Sequence, residues 1–305
     1  MPRVSVILPT YNRADLIGDA IASVQSQTFR DFEIIVADDG STDNTAAVVV
    51  AFGRAITYLR LPHRGQPAAT RNAGLRQARG EFVAFLDSDD LFLPNKLARQ
   101  VDALSSQPET GMVYSNGIFF RDTPDAPTGR VLDGLPTPSG NVFGELLRGN
   151  FLAPPVVLIR RACLDAAGEF DERPNFFGVE DFDLWLRIAA RFQVQYVPGD
   201  VAAIRRHSQG ISRDVAALRT RAVRVLVEME LLYPELMREH RAARHEAYAR
   251  NHGAIAAAEL QQWHLLSGAS HGLAALSHTL RMPGLGSSAF AAWWKRRALR
   301  RGARA

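Results

Sequence analysis

Three carboxylates stand within four positions at the end of an apolar stretch, and their spacing could serve to hold a cation. The stretch Phe82–Leu86 is typical of a strand buried on both faces, and Asp87, Asp89 and Asp90 follow it. Acids at the carboxyl end of a parallel strand face the crevice in which open α/β sheets hold ligands. Because crowded carboxylates repel one another, Asp87 and Asp89 indicate a divalent cation with a bound phosphate.

The same acids also have a purely structural interpretation. Asp89 or Asp90 could cap the helix that the sequence predicts from Pro94 onward. This stretch alone leaves the two interpretations open, so the acids elsewhere in the chain have to decide between them.

Two further acidic pairs occur at comparable places. Asp38 and Asp39 end a second apolar run, and Glu180 and Asp181 open a predicted helix. Each pair has an ordinary explanation, because Asp-Gly-Ser is a common turn sequence and acids favour helix N-termini. Together with the first cluster, they supply what a nucleotide diphosphate requires. One carboxylate can bond the base or ribose, and an acid pair can bind the metal on the diphosphate.

The elements that must position these acids alternate between strands and helices. Apolar runs at Val4–Leu8, Phe32–Ala37 and Ile56–Leu61 predict buried strands, and helical periodicity fills the intervals. This alternation predicts an α/β fold with a mostly parallel, Rossmann-like central sheet flanked by helices. Residues 121–140 are rich in Pro, Gly, Asp and Thr, which predicts a long irregular connection.

Composition restricts the class of protein. The 305 residues are 47% hydrophobic and 22% charged, which is typical of a globular chain. The single cysteine, Cys163, excludes a disulfide framework and a cysteine-cluster metal site, and it suits a reducing compartment. No apolar run has the length of a signal peptide or a membrane span, so we expect a cytoplasmic protein.

Five segments carry the motifs of this chain: Val4–Asn12, Phe32–Asp43, Thr70–Gly74, Phe85–Asp90 and Glu180–Trp185. Together they resemble the motifs of the family 2 glycosyltransferases, which are inverting enzymes with the GT-A fold of nucleotide-diphospho-sugar transferases. The resemblance implies a GT-A catalytic domain over residues 1–210, and the helical pattern beyond it predicts a C-terminal helical region over 211–305.

The resemblance assigns a donor-binding role to a set of matched residues. One aspartate of the pair Asp38 and Asp39 is expected to accept a hydrogen bond from uracil, and Arg71 is expected to approach the base or the diphosphate. The family more often has Asn where this chain has His63, which puts that loop contact in doubt. The residues expected to bind the nucleotide-sugar are Pro9, Thr10, Tyr11, Asp38, Asp39, Arg71, Asp87 and Ser88.

The resemblance also assigns the metal and the base. Asp89, Asp87 and His207 are the expected ligands of Mg²⁺ or Mn²⁺, which neutralises charge on the leaving diphosphate. His207 could equally be an ordinary loop histidine. Asp181 matches the general base that takes the proton of the acceptor hydroxyl, with Glu180 beside it. One base without a nucleophile implies direct displacement and inversion.

The expected function is therefore metal-dependent transfer of a sugar from a nucleotide-sugar, with UDP-sugar as the first choice of donor. The expected acceptor is a hydroxyl group of a saccharide, of a lipid-linked molecule or of another acceptor. The expected role is the synthesis of a cell-surface polysaccharide or glycoconjugate. A sugar-phosphate nucleotidyltransferase would need a Gly-rich basic loop in place of Pro9–Arg13. A non-catalytic binding module would lack Asp89 or Asp181. No strand carries the aromatic and basic platform that nucleic-acid binding requires.

The C-terminal end has a charge pattern of its own. From Arg281 onward there are seven basic residues and no acid, and Trp293 and Trp294 precede three adjacent bases. This pattern suits an interfacial helix on anionic lipid, which would place the protein at the inner face of the membrane. A helix packed against the body with a basic tail is the alternative. The helical region could also pack on a second subunit of a homo-oligomer.

Overall fold

The chain forms two compact units. The computed structural model describes residues 1–206, 214–261 and 265–281. The first unit comprises Met1–Leu146 and Asn150–Ile211, and the second comprises Leu147–Gly149 and Ser212–Ala305.

The first unit contains a sheet whose parallel part carries the first two acidic clusters. Its strands lie in the order β3, β2, β1, β4, and β1 is buried along its whole length. Because all four run in the same direction, the residues that follow β1, β2 and β4 meet at one edge of the sheet. These strands are β1 (Val4–Thr10), β2 (Phe32–Asp38), β3 (Ile56–Arg60) and β4 (Phe82–Phe85).

The other half of the sheet is mixed. The fourth strand of the parallel part is followed by β8, which is antiparallel to both β4 and β6, whereas β9 is parallel to β6. Because β8 opposes both neighbours, β6 and β9 run in the same direction as the first four strands, which agrees with the predicted mostly parallel sheet. In this described sheet, β5, β7 and β8 run the opposite way, which the sequence did not show because an apolar run has the same pattern in either direction. The remaining strands are β5 (Leu91–Phe92), β6 (Thr110–Phe120), β7 (Gly129–Arg130), β8 (Val157–Arg160) and β9 (Gln193–Arg205).

Two contacts bring the helices of this unit close to the edge where the acids lie. The third helix lies so near β1 that a Cβ on Gly74 would come within 2.6 Å of Ile7 Cγ2. From the same helix, Asn72 donates to the Phe170 carbonyl at 2.9 Å and accepts from the Phe170 N–H at 3.0 Å, which fixes the segment that leads to α7. The helices are α1 (Ile17–Gln25), α2 (Thr45–Ala51), α3 (Pro67–Gln77), α4 (Lys96–Ser106), α5 (Phe143–Arg148), α6 (Arg161–Ala167) and α7 (Glu180–Ala189).

The second unit is helical in its described part. Asp214 caps its first helix by accepting from the Ala217 N–H at 2.9 Å. No helix among the described residues of the chain is both long and apolar enough to cross a membrane. Residues 282–305, with the predicted lipid-binding tail, lie outside the described part. The helices are α8 (Val215–Leu232), α9 (Pro234–Glu239), α10 (Arg241–Gln261) and α11 (Leu265–Leu280).

Candidate active site

A buried arginine joins two of the predicted acidic clusters. Arg71, on α3, is 6% exposed. Its Nη2 donates to Asp87 Oδ1 at 2.7 Å, and its Nη1 donates to Glu180 Oε1 at 2.9 Å. Burial opposes the charge on Arg71, but the two carboxylates outweigh it and raise the pKa, so the guanidinium stays protonated. One cation therefore holds the carboxyl end of β4 to the start of α7.

Asp181 lies at the start of α7, where the helix dipole favours an acid. Its Oδ2 accepts from Asn150 Nδ2 at 2.9 Å, and its Oδ1 accepts from the Phe182 N–H at 2.7 Å. Burial and the charge of Glu180 raise the pKa of Asp181 to about 7, although Arg71 opposes this shift. A carboxyl group with this pKa exchanges a proton readily near neutral pH, which suits a general base.

The segment after β4 concentrates negative charge. Asp87 and Asp89 are half-buried, whereas Ser88 and Asp90 are buried. Asp90 Oδ1 accepts from the Arg205 N–H at 2.8 Å, which ties this segment to β9. Burial and the charges of Asp87 and Asp89 raise the pKa of Asp90. The acids that remain partly open to solvent are thus Asp87 and Asp89, the two that the sequence predicts as metal ligands.

These acids fit the predicted metal, although they do not form a cage of protein ligands. In the described ranges, no three His, Cys, Asp or Glu side chains are placed to hold an ion together. Mg²⁺ commonly binds one or two carboxylates and the phosphates of its substrate. Asp87 and Asp89 can supply the carboxylates, and a donor diphosphate can supply the remaining oxygens. His207, the third predicted ligand, lies outside the described residues.

The ends of β1 and β2 place an acid that accepts hydrogen bonds, Asp38, next to a buried hydroxyl group, that of Thr10. Pro9 and Thr10 are buried at the end of β1, and Thr10 pairs in register with Asp38. Asp38 is fully buried and accepts from the Ser41 N–H at 2.8 Å and from the Tyr58 hydroxyl. The Thr10 hydroxyl, by contrast, is buried without a hydrogen-bond partner in the described structure. Such an atom is available to a polar ligand.

The loop after β3 holds the second aspartate of this pair. Asp39 accepts from the N–H groups of Arg64 and Gly65 at 2.9 and 2.8 Å, and His63 Nδ1 lies 2.9 Å from Asp39 Oδ2. Tyr11 is 39% exposed and stacks on His63 with ring centroids 4.1 Å apart. An aromatic face beside a carboxylate suits a nucleobase, which can stack and donate a hydrogen bond. His63, which stands where the family more often has Asn, thus contacts both Asp39 and Tyr11.

The structure brings most of the predicted residues to one edge of the sheet, and it adds two that the sequence did not indicate. The matched residues that follow β1, β2 and β4 share this edge, and Arg71 connects it to Glu180. The added residues are Tyr58, which donates to an acid on β2, and Asn150, which donates to Asp181. Neither belongs to a motif, and no periodicity in the chain points to them.

Comparison with known proteins identifies the family. The profile of Glycosyl transferase family 2 matches residues 5–161, which is more than half of the chain. The chain belongs to glycosyl transferase family 2. This result confirms the predicted family and favours it over the nucleotidyltransferase alternative.

Two curated relatives of this family 2 chain show how much of each protein is shared. An uncharacterized glycosyltransferase of Rickettsia felis is 33% identical over 207 residues, which are 67% of this chain and 33% of that protein. The Escherichia coli UDP-Glc:alpha-D-GlcNAc-diphosphoundecaprenol beta-1,3-glucosyltransferase WfgD is 31% identical over 186 residues, which are 61% of this chain and 69% of that protein. The chain spans about a third of the length of the first relatives it matches.

Solved structures show the fold of this family 2 chain. S. aureus TarS 1-349 in complex with UDP-GlcNAc has a TM-score of 0.62 at 19% identity, covering 90% of this chain and 89% of that one. The Pyrobaculum calidifontis mannosyltransferase PcManGT, in complex with GDP-Man and Mn²⁺, has a TM-score of 0.62 at 23% identity, covering 98% and 81%. The likeness confirms the predicted GT-A fold.

The Arg71 bridge makes a prediction about stability. Replacing Arg71 with methionine leaves two carboxylates without their shared cation, so Arg71→Met should lower the free energy of unfolding by about 3 kcal/mol. The matched control is Arg76→Met on the same helix, whose partner Glu169 is partly exposed, with an expected loss below about 1 kcal/mol. Urea unfolding followed by circular dichroism measures both. Equal losses in the two variants would contradict a special role for the bridge.

Proposed function

We propose that this chain transfers a sugar from a UDP-sugar to an acceptor hydroxyl with inversion at the anomeric carbon, in a reaction that depends on Mg²⁺ or Mn²⁺. The observation that carries this proposal is the contact of Arg71 with both Asp87 and Glu180. This contact connects Asp87, which is expected to bind the donor, to the N-terminus of α7, where Asp181 lies. A transferase needs these two functions close together, because the donor diphosphate leaves as the acceptor oxygen attacks.

The choice of donor and acceptor is supported by the relatives. TarS was solved with UDP-GlcNAc, and the name of WfgD gives UDP-Glc as its donor and a diphosphoundecaprenol-linked sugar as its acceptor. A Campylobacter jejuni relative, 46% identical over 102 residues, is likewise named for an undecaprenol-linked acceptor. We therefore propose a lipid-linked saccharide as the acceptor and the synthesis of a cell-surface polysaccharide or glycoconjugate as the purpose.

The proposed reaction is a single displacement. The acceptor oxygen bonds to the anomeric carbon while the bond from that carbon to the diphosphate oxygen breaks, and its electron pair stays on the diphosphate. Asp181 takes the proton of the acceptor hydroxyl as the oxygen attacks. Arg71 keeps Glu180 and Asp87 in place through one hydrogen bond to each. Asp87 and Asp89 would hold the divalent cation, which would neutralise charge on the diphosphate when bound.

Three wider predictions belong to the same proposal. Residues 1–210 act as the catalytic domain, and residues 211–305 form a helical region that could carry a homo-oligomer contact. The basic tail lies outside the described residues, so its contact with the inner face of the membrane rests on the sequence alone. A lipid-linked acceptor would explain why such a tail is present.

A thermal-shift screen tests the donor and the metal. UDP-sugars with Mn²⁺ should raise the melting temperature more than GDP- or dTDP-sugars, because a bound ligand stabilises the folded chain by about 2.7 kcal/mol at a hundredfold excess over its Kd. Removing the metal with EDTA should remove most of this shift. Asp89→Asn should behave like the EDTA-treated protein.

The matched control for this screen is Asp102→Asn, an exposed acid on α4 that should leave the metal-dependent shift unchanged. Stabilisation by GDP-sugars alone would overturn the proposed donor. A shift that is the same with and without metal would overturn the proposed cofactor.

Asp181 makes a prediction about pH. Because burial and Glu180 raise its pKa to about 7, the base is half-protonated there, and kcat/KM should fall as pH drops through 7. Asp181→Asn should lower kcat by about 10²- to 10⁴-fold, the usual contribution of a general base. Its affinity for UDP, measured by calorimetry, should stay at the wild-type value. An equal loss of UDP affinity would mean that Asp181 serves donor binding instead.

A further inference from the structure

The side-chain amide of Asn150 has a defined orientation beside the proposed base. Its Nδ2 donates to Asp181 Oδ2 at 2.9 Å, and its Oδ1 accepts from the Leu152 N–H at 3.1 Å. The backbone donor requires the oxygen of the amide on its side, so the NH₂ group must face the carboxylate. Asn150 is therefore a hydrogen-bond donor to Asp181 and not an acceptor from it.

A second contact fixes the segment that carries Asn150. The Leu152 carbonyl accepts from Trp185 Nε1 at 3.1 Å, and both residues are almost completely buried. Trp185 lies one helical turn after Asp181 on α7. The segment that carries Asn150 is thus bonded to α7 at two points, Asp181 and Trp185. These two contacts restrict the orientation of the Asp181 carboxylate.

The surroundings of Asp181 make a neutral donor useful. The charged groups around it are Glu180 on its own helix and Arg71 on α3, with Asp87 on the far side of Arg71. The charge of Glu180 disfavours the ionised carboxylate, whereas a hydrogen-bond donor favours it. Asn150 supplies this donor without adding a charge that would pair with the base.

We propose that Asn150 is a positioning residue that holds the Asp181 carboxylate in one orientation for proton abstraction and favours its ionised form. This inference rests on the proposed role of Asp181 as the general base. Loss of the hydrogen bond should have two effects. The acid limb of the pH profile should move up by about one unit, and kcat at pH 7 should fall about tenfold, as expected for a hydrogen bond to a charged group.

Two variants test the two hydrogen bonds of the Asn150 side chain, the one it donates to Asp181 and the one it accepts from the Leu152 N–H. Asn150→Asp keeps the size of the side chain and the oxygen that accepts from the Leu152 N–H, but it loses the NH₂ donor and adds a like charge. Asn150→Ala removes both bonds. The matched control is Asn141→Asp, because Asn141 Oδ1 accepts from the Phe143 N–H at 3.2 Å in the same kind of turn. The added charge of Asn150→Asp raises the pKa of Asp181 by itself, so Asn150→Ala decides whether the native hydrogen bond matters. If Asn150 only shaped its loop, the pKa of Asp181 in Asn150→Ala would stay at the wild-type value, as in the Asn141 control.

The experiment measures kcat, the KM for the donor and their pH profiles for these variants, and the pKa of Asp181 by ¹³C NMR of its carboxyl carbon. We expect both Asn150 variants to raise that pKa by about one unit or more and to lower kcat with an unchanged donor KM, and Asn150→Asp to have the larger effect. A wild-type pKa of Asp181 and a wild-type kcat in Asn150→Ala would overturn the inference.

The NMR measurement keeps the inference separate from the proposed function. It needs no substrate, so an inactive wild-type protein would refute the transferase proposal while the titration still reported on the hydrogen bond. If Asn150→Asp does not fold, the same titration of Asn150→Ala decides the question. An unchanged pKa of Asp181 in that variant overturns the inference as well.

Discussion

The site depends on one guanidinium between two carboxylates. Arg71 is nearly buried, and a buried cation is tolerated only when opposite charges surround it, as Asp87 and Glu180 do here. Asp87 follows a central strand and Glu180 begins a helix more than ninety residues later, so this pair of contacts fixes the distance between two distant segments. The remaining acids of the site exceed this single positive charge. Burial, together with these neighbouring charges, raises the pKa of Asp181 and Asp90. The excess negative charge also favours a cation near Asp87 and Asp89.

The scaffold around Arg71 explains why it can reach both acids. The α3 helix packs so closely against β1 that a Cβ atom at position 74 would clash with Ile7, and glycine avoids this clash. The close packing brings the helix near the edge of the sheet. Asn72, the neighbour of Arg71, bonds the backbone of Phe170 from both its amide atoms and fixes the approach to α7. The Arg71–Gly74 motif therefore carries three separate functions in four residues: an ion bridge, a loop anchor and a close helix contact.

The sequence was sufficient for the elements whose signal is local. Apolar runs closed by Asp38 or Asp87 identified two parallel strands, and Glu180 with Asp181 identified the start of α7. The sequence did not indicate that β8 runs antiparallel to β4 and β6, because a short apolar run has the same pattern in either direction. The partner of Arg71 was also hidden, since it lies 109 residues away. Asn150 was invisible for the same reason: it meets Asp181 only because of the path its loop takes.

The central claim is that the acids near 87 and near 181 belong to one site organised by Arg71. A crystal structure with UDP and Mn²⁺, with anomalous diffraction at the manganese edge, tests it most directly. The account predicts a manganese peak at the carboxylates of Asp87 and Asp89, with diphosphate oxygens on the same ion and Arg71 still bonded to Glu180. A manganese ion bound to Asp181, or a diphosphate bound away from both acid clusters, would contradict it.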